Sequence, residues 1–139
     1  MDSRVEAFFD SVKGKRVTFC GIGGSNLSLI SLFQEKGAVV SARDRRTREA
    51  LGKTGDDLEA RGVALHLGET YLQNLDEDII FRTPGMKFTL PELDAARARG
   101  AAVTSEMELF FDLCPCKIYA VTGSDGKTTT TTIVSEFLK

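Results

Sequence analysis

An α/β fold, with a parallel sheet covered by helices on both faces, is predicted by three observations. Short β-branched or aromatic runs alternate with stretches of helical periodicity. The runs stop at glycine or proline turns. Two glycine-rich turns each lie between a strand pattern and a helix pattern, the arrangement of a strand-helix-strand unit with its crossover.

Each element has its own reason. Arg16-Val17-Thr18-Phe19-Cys20 reads as a first strand, ended by Gly21. Residues 25–36 read as a helix. Leu27, Leu29, Ile30, Leu32 and Phe33 cover most of its circumference, so it is expected to be buried, and Gly37 stands where a C′ glycine belongs. Val39-Val40-Ser41-Ala42 is a second strand, followed at once by Arg43-Asp44-Arg45-Arg46. Residues 47–61 make a weaker helix, because Gly52 and Gly55 each cost about 1 kcal/mol against alanine in a helix interior. Val63-Ala64-Leu65-His66 and Asp78-Ile79-Ile80-Phe81 are the next strands, the latter running to Thr83-Pro84-Gly85. Pro91 opens a helix to about Arg99 and Gly100 stops it. Ala102-Val103-Thr104 is a short strand. Ser105 and Glu108 have capping-box spacing ahead of Met107, Leu109, Phe110 and Phe111, and Pro115 ends that helix. Leu113-Cys114-Pro115-Cys116 marks an expected domain boundary, dividing residues 1–113 from 114–139. Beyond it, Lys117-Ile118-Tyr119-Ala120-Val121 reads as a strand and Lys127 onward as a helix.

Composition narrows the function classes. The chain has 139 residues, enough for one full domain. Eighteen basic and 20 acidic side chains give a charge of −2, without the basic excess of an electrostatic nucleic-acid binder. A hydrophobic fraction of 42% excludes a disordered chain, and a mean hydropathy of −0.10 without a long apolar run excludes a membrane-spanning helix. Three cysteines and one histidine do not make a disulfide framework, and a reducing, cytoplasmic compartment is expected.

The two glycine turns carry the chemistry. Gly21-Ile22-Gly23-Gly24-Ser25-Asn26 lets backbone pass close to an anion and presents a helix N-terminus to it. It keeps two glycines of the dinucleotide fingerprint and has Asn26 at the third. Asp44 lies about where the fingerprint places its acid, while Arg45 and Arg46 suit a further phosphate. Gly123-Ser124-Asp125-Gly126-Lys127-Thr128-Thr129 has the Gly-Lys-Thr core of a phosphate loop: a backbone nest, a lysine for the β- and γ-phosphates, and the Thr128 hydroxyl as a Mg²⁺ ligand. Val121 stands where the strict pattern has glycine. Five threonines opening a helix are poor on propensity, as functional demand would produce.

This second turn resembles the phosphate loop of the Mur ligases, Gly-Thr-Asn-Gly-Lys-Thr/Ser-Thr, which departs from the strict pattern in the same way. The first glycine turn, Asp44-Arg45-Arg46, Thr83-Pro84-Gly85 and Glu106-Met107-Glu108-Leu109-Phe110 follow in the order found in that family. The resemblance implies a Rossmann-like domain for the UDP of the substrate, then the first strand, phosphate loop and helix of a central ATP-binding domain. Gly24, Ser25 and Asn26 align with residues at the UDP phosphates. Asp44, Arg45 and Arg46 align with the segment contacting uracil and phosphate, where the middle residue is usually threonine. Thr83 and Gly85 align with a Ser-Pro-Gly loop beside the uracil. Gly123, Ser124, Asp125, Gly126, Lys127, Thr128 and Thr129 align with the contacts to ATP and Mg²⁺, Asp125 replacing the common asparagine.

The implied reaction is amide formation. A substrate carboxylate takes the γ-phosphoryl group of ATP, and an amine then displaces phosphate from the acyl phosphate. The motif order favours the member that joins D-glutamate to UDP-N-acetylmuramoyl-L-alanine. Its D-glutamate site and catalytic groups are expected outside this chain, so no catalytic residue is assigned and the 139 residues alone are expected to be inactive. A sibling adding L-alanine to UDP-N-acetylmuramic acid, a nicotinamide oxidoreductase and a stand-alone nucleotide-binding module remain open. Self-association through residues 118–139 is one expected way to cover Ile118, Ile133, Val134, Phe137 and Leu138.

Blander readings apply elsewhere. Cys20 is expected to be a buried strand end, Cys114 and Cys116 linker residues, and His66 a strand-end or surface residue. Phe110 and Phe111 are expected in the core or between domains, and most charges from Arg43 to Arg61 on a solvated face.

Overall fold

The computed structural model describes residues 3–119 and 127–138, and for residues 127–130 the backbone only. Five parallel strands form one sheet in the order β3-β2-β1-β4-β5. They are β1 (Arg16–Cys20), β2 (Val39–Asp44), β3 (Ala64–Leu67), β4 (Ile79–Phe81) and β5 (Ala102–Thr104). The order turns back between β1 and β4, the switch point where open α/β sheets bind ligands beyond the carboxyl ends of their strands.

Register decides the two faces. Val17 lies opposite Val40 and Ile79, and Phe19 opposite Ala42 and Phe81. These residues face one way and join α1 (Ser3–Val12), α2 (Gly24–Glu35), α4 (Lys53–Ala60) and α6 (Glu106–Leu113) in the larger core. Phe33 of α2 packs edge-on against Phe9, Phe19 and Phe81, with ring centroids 5.2–5.6 Å apart. Ile30 and Phe33 are fully buried, while Leu27, Leu29 and Leu32 are half-buried and Ser28 and Ser31 exposed, so the helix lies on the sheet with one face open and is less buried than its pattern predicts. Lys36 caps α2 and Gly37 follows at φ +88°, so its N–H reaches the Gln34 carbonyl in the left-handed turn that glycine adopts without strain.

The alternate residues Thr18, Cys20, Ser41, Arg43 and Ile80 face the other way. The segment between β3 and β4 and α5 (Pro91–Ala98) cover them, with Leu72, Leu93 and Ala96 in the smaller core. Here the structure corrects the solvated-face expectation for Arg43, which is 1% exposed. It pairs with buried Glu77 at 2.8 Å and donates to the carbonyls of Tyr71, Gln73 and Asn74. A cation at the end of a central strand is buried because a loop without ladder partners offers it several carbonyls.

Other departures are local. The helix predicted over 47–61 is two helices, α3 (Arg48–Leu51) and α4, separated at Gly52. Helix α1 was not anticipated; its Phe9 and Val12 bury themselves only against the assembled sheet. Phe110 and Phe111 are 52% and 45% exposed, which removes the core alternative of their expected placement and leaves the one between domains: on α6 it is Leu109 that faces inward. Lys117, Ile118 and Tyr119 are not in a strand, and the rest of that expected strand lies outside the described residues. Lys127 does open a helix, α7 (Lys127–Phe137). Among the described residues no helix is long and apolar enough to cross a membrane.

Candidate functional site

The chain leaves β1 at Cys20 and turns sharply. The Gly21 N–H donates to the Arg43 carbonyl at 2.6 Å and φ at Gly21 is +104°. A Cβ there would collide with the Thr83 methyl, so close approach and backbone sign both require glycine. Gly23 is the N-cap of α2 and supplies no side-chain cap. The first N–H groups of a helix have no intrahelical acceptors, and here the residues that carry them line a cleft. Gly23 and Gly24 leave open space where a Cβ would stand.

That cleft, of about 180 Å³, lies beyond the carboxyl ends of β1, β4 and β5. Gly23, Gly24, Ser25 and Asn26 line one side; Arg82, Thr83, Pro84, Ser105, Glu106 and Met107 line the other. It therefore brings together Gly24, Ser25, Asn26 and Thr83 from the sequence-predicted set. Asn26 is 4% exposed and its amide donates to the Gly21 carbonyl at 2.8 Å, so its side chain braces the turn. Gly85 sits in the exposed turn after Thr83, outside the lining.

Asp44 and Arg46 lie on the opposite flank of the same turn. The Asp44 carboxylate accepts the Ile22 N–H at 2.8 Å through Oδ2 and the Arg46 N–H at 2.8 Å through Oδ1. Arg46 closes a two-pronged pair on it, Nε to Oδ1 at 3.1 Å and Nη2 to Oδ2 at 2.9 Å, and also donates to the Ile22 carbonyl. Burial pushes the Asp44 carboxyl up, but the hydrogen bonds from Arg46 and Ile22 outweigh it and hold the group below the usual carboxylate range. Asp44 thus fixes the glycine turn from behind. Arg45, between them, is exposed.

Sequence reasoning placed none of Arg82, Ser105, Glu106 and Met107 at a ligand site. Glu106 and Met107 stood only in a family motif, and Ser105 was read only as a helix cap, which it is: it accepts the Glu108 N–H at 3.3 Å. The missing signal was strand order, which sets the end of β5 beside that of β4. Gly123, Ser124, Asp125 and Gly126 lie outside the described residues, as do the side chains of Lys127, Thr128 and Thr129. Among the described residues no cluster of three or more His, Cys, Asp or Glu side chains could hold a metal.

Comparison with known proteins agrees with this geometry. The domain family described as Mur ligase MurD-like, N-terminal domain, matches residues 15–105, which contain the whole sheet and the cleft residues through Ser105. A UDP-N-acetylmuramoylalanine–D-glutamate ligase of Clostridium botulinum is 50% identical over all of this chain, which covers 31% of that protein. One of Acetivibrio thermocellus is 46% identical, again over the whole chain and 30% of the relative. The chain thus spans about a third of the length of these relatives. The crystal structure of the UDP-N-acetylmuramate-alanine ligase MurC from Thermotoga maritima superposes with a TM-score of 0.56 at 26% identity, covering 89% of this chain and 29% of that one. The chain belongs to the Mur ligase family, through a MurD-like N-terminal domain.

Proposed function

We propose that this chain is the substrate-nucleotide-binding part of an ATP-dependent ligase that joins D-glutamate to UDP-N-acetylmuramoyl-L-alanine in peptidoglycan synthesis. The observation that carries the reading is the switch-point cleft, where an uncapped helix N-terminus faces Arg82 and Thr83. Its volume is below the roughly 300–1,000 Å³ of pockets that enclose a whole drug-sized ligand. The cleft takes the diphosphate in this reading, and not the whole nucleotide. In this reading the N–H groups of Gly24, Ser25 and Asn26 bind the phosphates. Asp44 and Arg46 keep the turn in shape, and Arg45, Thr83 and Gly85 meet the nucleoside. Identity of 46–50% to ligases named for D-glutamate supports that amino acid over the L-alanine of the sibling enzyme.

ATP and Mg²⁺ belong, in the same reading, to residues 123–129, with Lys127 on the phosphates and Thr128 on the metal; bound ATP supplies the phosphoryl group that activates the substrate carboxylate. The domain boundary falls near residues 113–114 and the D-glutamate site lies outside this chain. A cytoplasmic location is supported by three free cysteines. Calorimetric titration of the 139-residue chain tests the nucleotide assignment: UDP is expected to bind more tightly than NAD, and the reverse order would overturn it.

A further inference from the structure

Among the described residues Arg82 is the one cation lining the cleft, and it is poorly satisfied. Its side chain is only 16% exposed, yet its one ion pair, to Glu108 Oε2, is stretched to 3.5 Å. The guanidinium carbon lies 5.3 Å from the centre of the Phe88 ring, which supports the plane without accepting a hydrogen bond in it. Nε is buried with no partner among the described residues. An arginine offers five donors in a fixed fork, and leaving such donors unpaired in a partly buried place is costly.

Glu108 is also spent unusually. It holds the third position of α6, from which a capping-box glutamate reaches back to the N-cap N–H. Ser105 makes its half of that box, while the Glu108 carboxylate lies at Arg82 instead. Among the described residues Glu106 is the one acid in the cleft lining, so the cleft's attraction for an anion rests on Arg82 and the start of α2.

We infer that Arg82 is a diphosphate-binding residue of this cleft, held by Glu108 until the ligand arrives and then transferred to it, with Glu108 free to close its capping box. The inference rests on the UDP reading for its natural ligand, but its chemistry is that of any diphosphate. The guanidinium fork exchanges one long carboxylate contact for two short charge-assisted bonds to phosphate oxygens.

Calorimetry on the 139-residue chain with UDP, uridine and inorganic pyrophosphate tests it, with thermal melting to verify that each variant folds. Arg82→Ala is expected to weaken UDP and pyrophosphate by about 10- to 100-fold and to leave uridine unchanged. Arg82→Lys keeps the charge without the fork and falls between. Glu108→Gln frees the arginine and binds UDP as tightly as the parent or tighter. UDP binding unaffected by Arg82→Ala would overturn the inference and leave the UDP reading standing. Arg82-dependent pyrophosphate binding without UDP binding would do the opposite. Equal losses in Arg82→Ala and Glu108→Gln would mark a merely structural pair and overturn the inference. Failure of the folded parent chain to bind either anion would overturn both.

Discussion

The two flanks of the turn after β1 are built on opposite principles. Toward β2, Asp44 is taken up by Ile22 and Arg46, and Arg43 by Glu77 and three loop carbonyls, with only Arg43 Nε and Glu77 Oε2 buried without a partner among the described residues. Toward β4, the helix N-terminus is uncapped and Arg82 has a single ion pair, stretched to 3.5 Å, against the 2.8 Å pair and three carbonyls of Arg43. The closed flank holds the glycine turn in place, and the open flank has hydrogen-bonding capacity left for a ligand. A charged motif beside a phosphate-shaped loop is therefore not by itself a phosphate contact; its own partners must be counted first.

The largest way to break this contrast is Arg43→Met, which leaves Glu77 buried beside Ser41 without its cation. Removal of one partner of a buried pair costs about 3–5 kcal/mol, and urea unfolding should register that loss. A cost below about 1 kcal/mol would mean that the loop over β2 is not anchored there.

Asp44→Asn is a smaller change, since Arg46 is half exposed and water screens part of the interaction. A destabilisation of about 1.5–3 kcal/mol is the upper range for hydrogen bonds to a charged group. The pH dependence sharpens the test. Asp44 has a folded pKa below its unfolded one, so as pH falls the unfolded chain takes up the proton first. Its contribution is complete above about pH 4 and is lost as pH falls through the lower folded value. Unfolding measured across that window should show a shallower acid loss in the Asn variant than in the parent; parallel curves would refute the anchor.

The smallest effect concerns Cys20, at the base of the closed flank. Burial pushes its thiol up to about 12, with Arg43 lowering it and Glu77 raising it less strongly. In the native chain a thiol reagent at pH 8 should titrate Cys114 and Cys116 promptly and Cys20 only on unfolding. Three fast thiols would show that this face opens readily.

Much of the architecture was readable residue by residue. Arg16–Cys20 and Ala102–Thr104 appear as strands with the predicted ends, and Pro91 and Ser105 open helices where their side-chain chemistry places them. These signals are local: β-branching, a capping hydroxyl, a fixed proline φ. The cleft was half readable. Gly24, Ser25 and Asn26 announce themselves by their place after a strand, whereas Arg82 is one arginine among many until the β4–β5 pairing sets it beside Ser105 and Glu106.

The sequence by itself determined the element types, the glycine turn and the family motifs, because propensity, capping and the left-handed backbone of glycine act within a few residues of chain. Only the tertiary structure decided how the charges are used. Arg43 and Arg46 look alike in the run Arg43-Asp44-Arg45-Arg46, yet Arg43 is turned by β2 into a loop-filled interior, whereas Arg46 lies past the end of that strand at the surface, clamped to Asp44. Burial and pairing depend on residues 22 to 34 positions away, Ile22 for Asp44 and Glu77 for Arg43, and no local pattern encodes such partners.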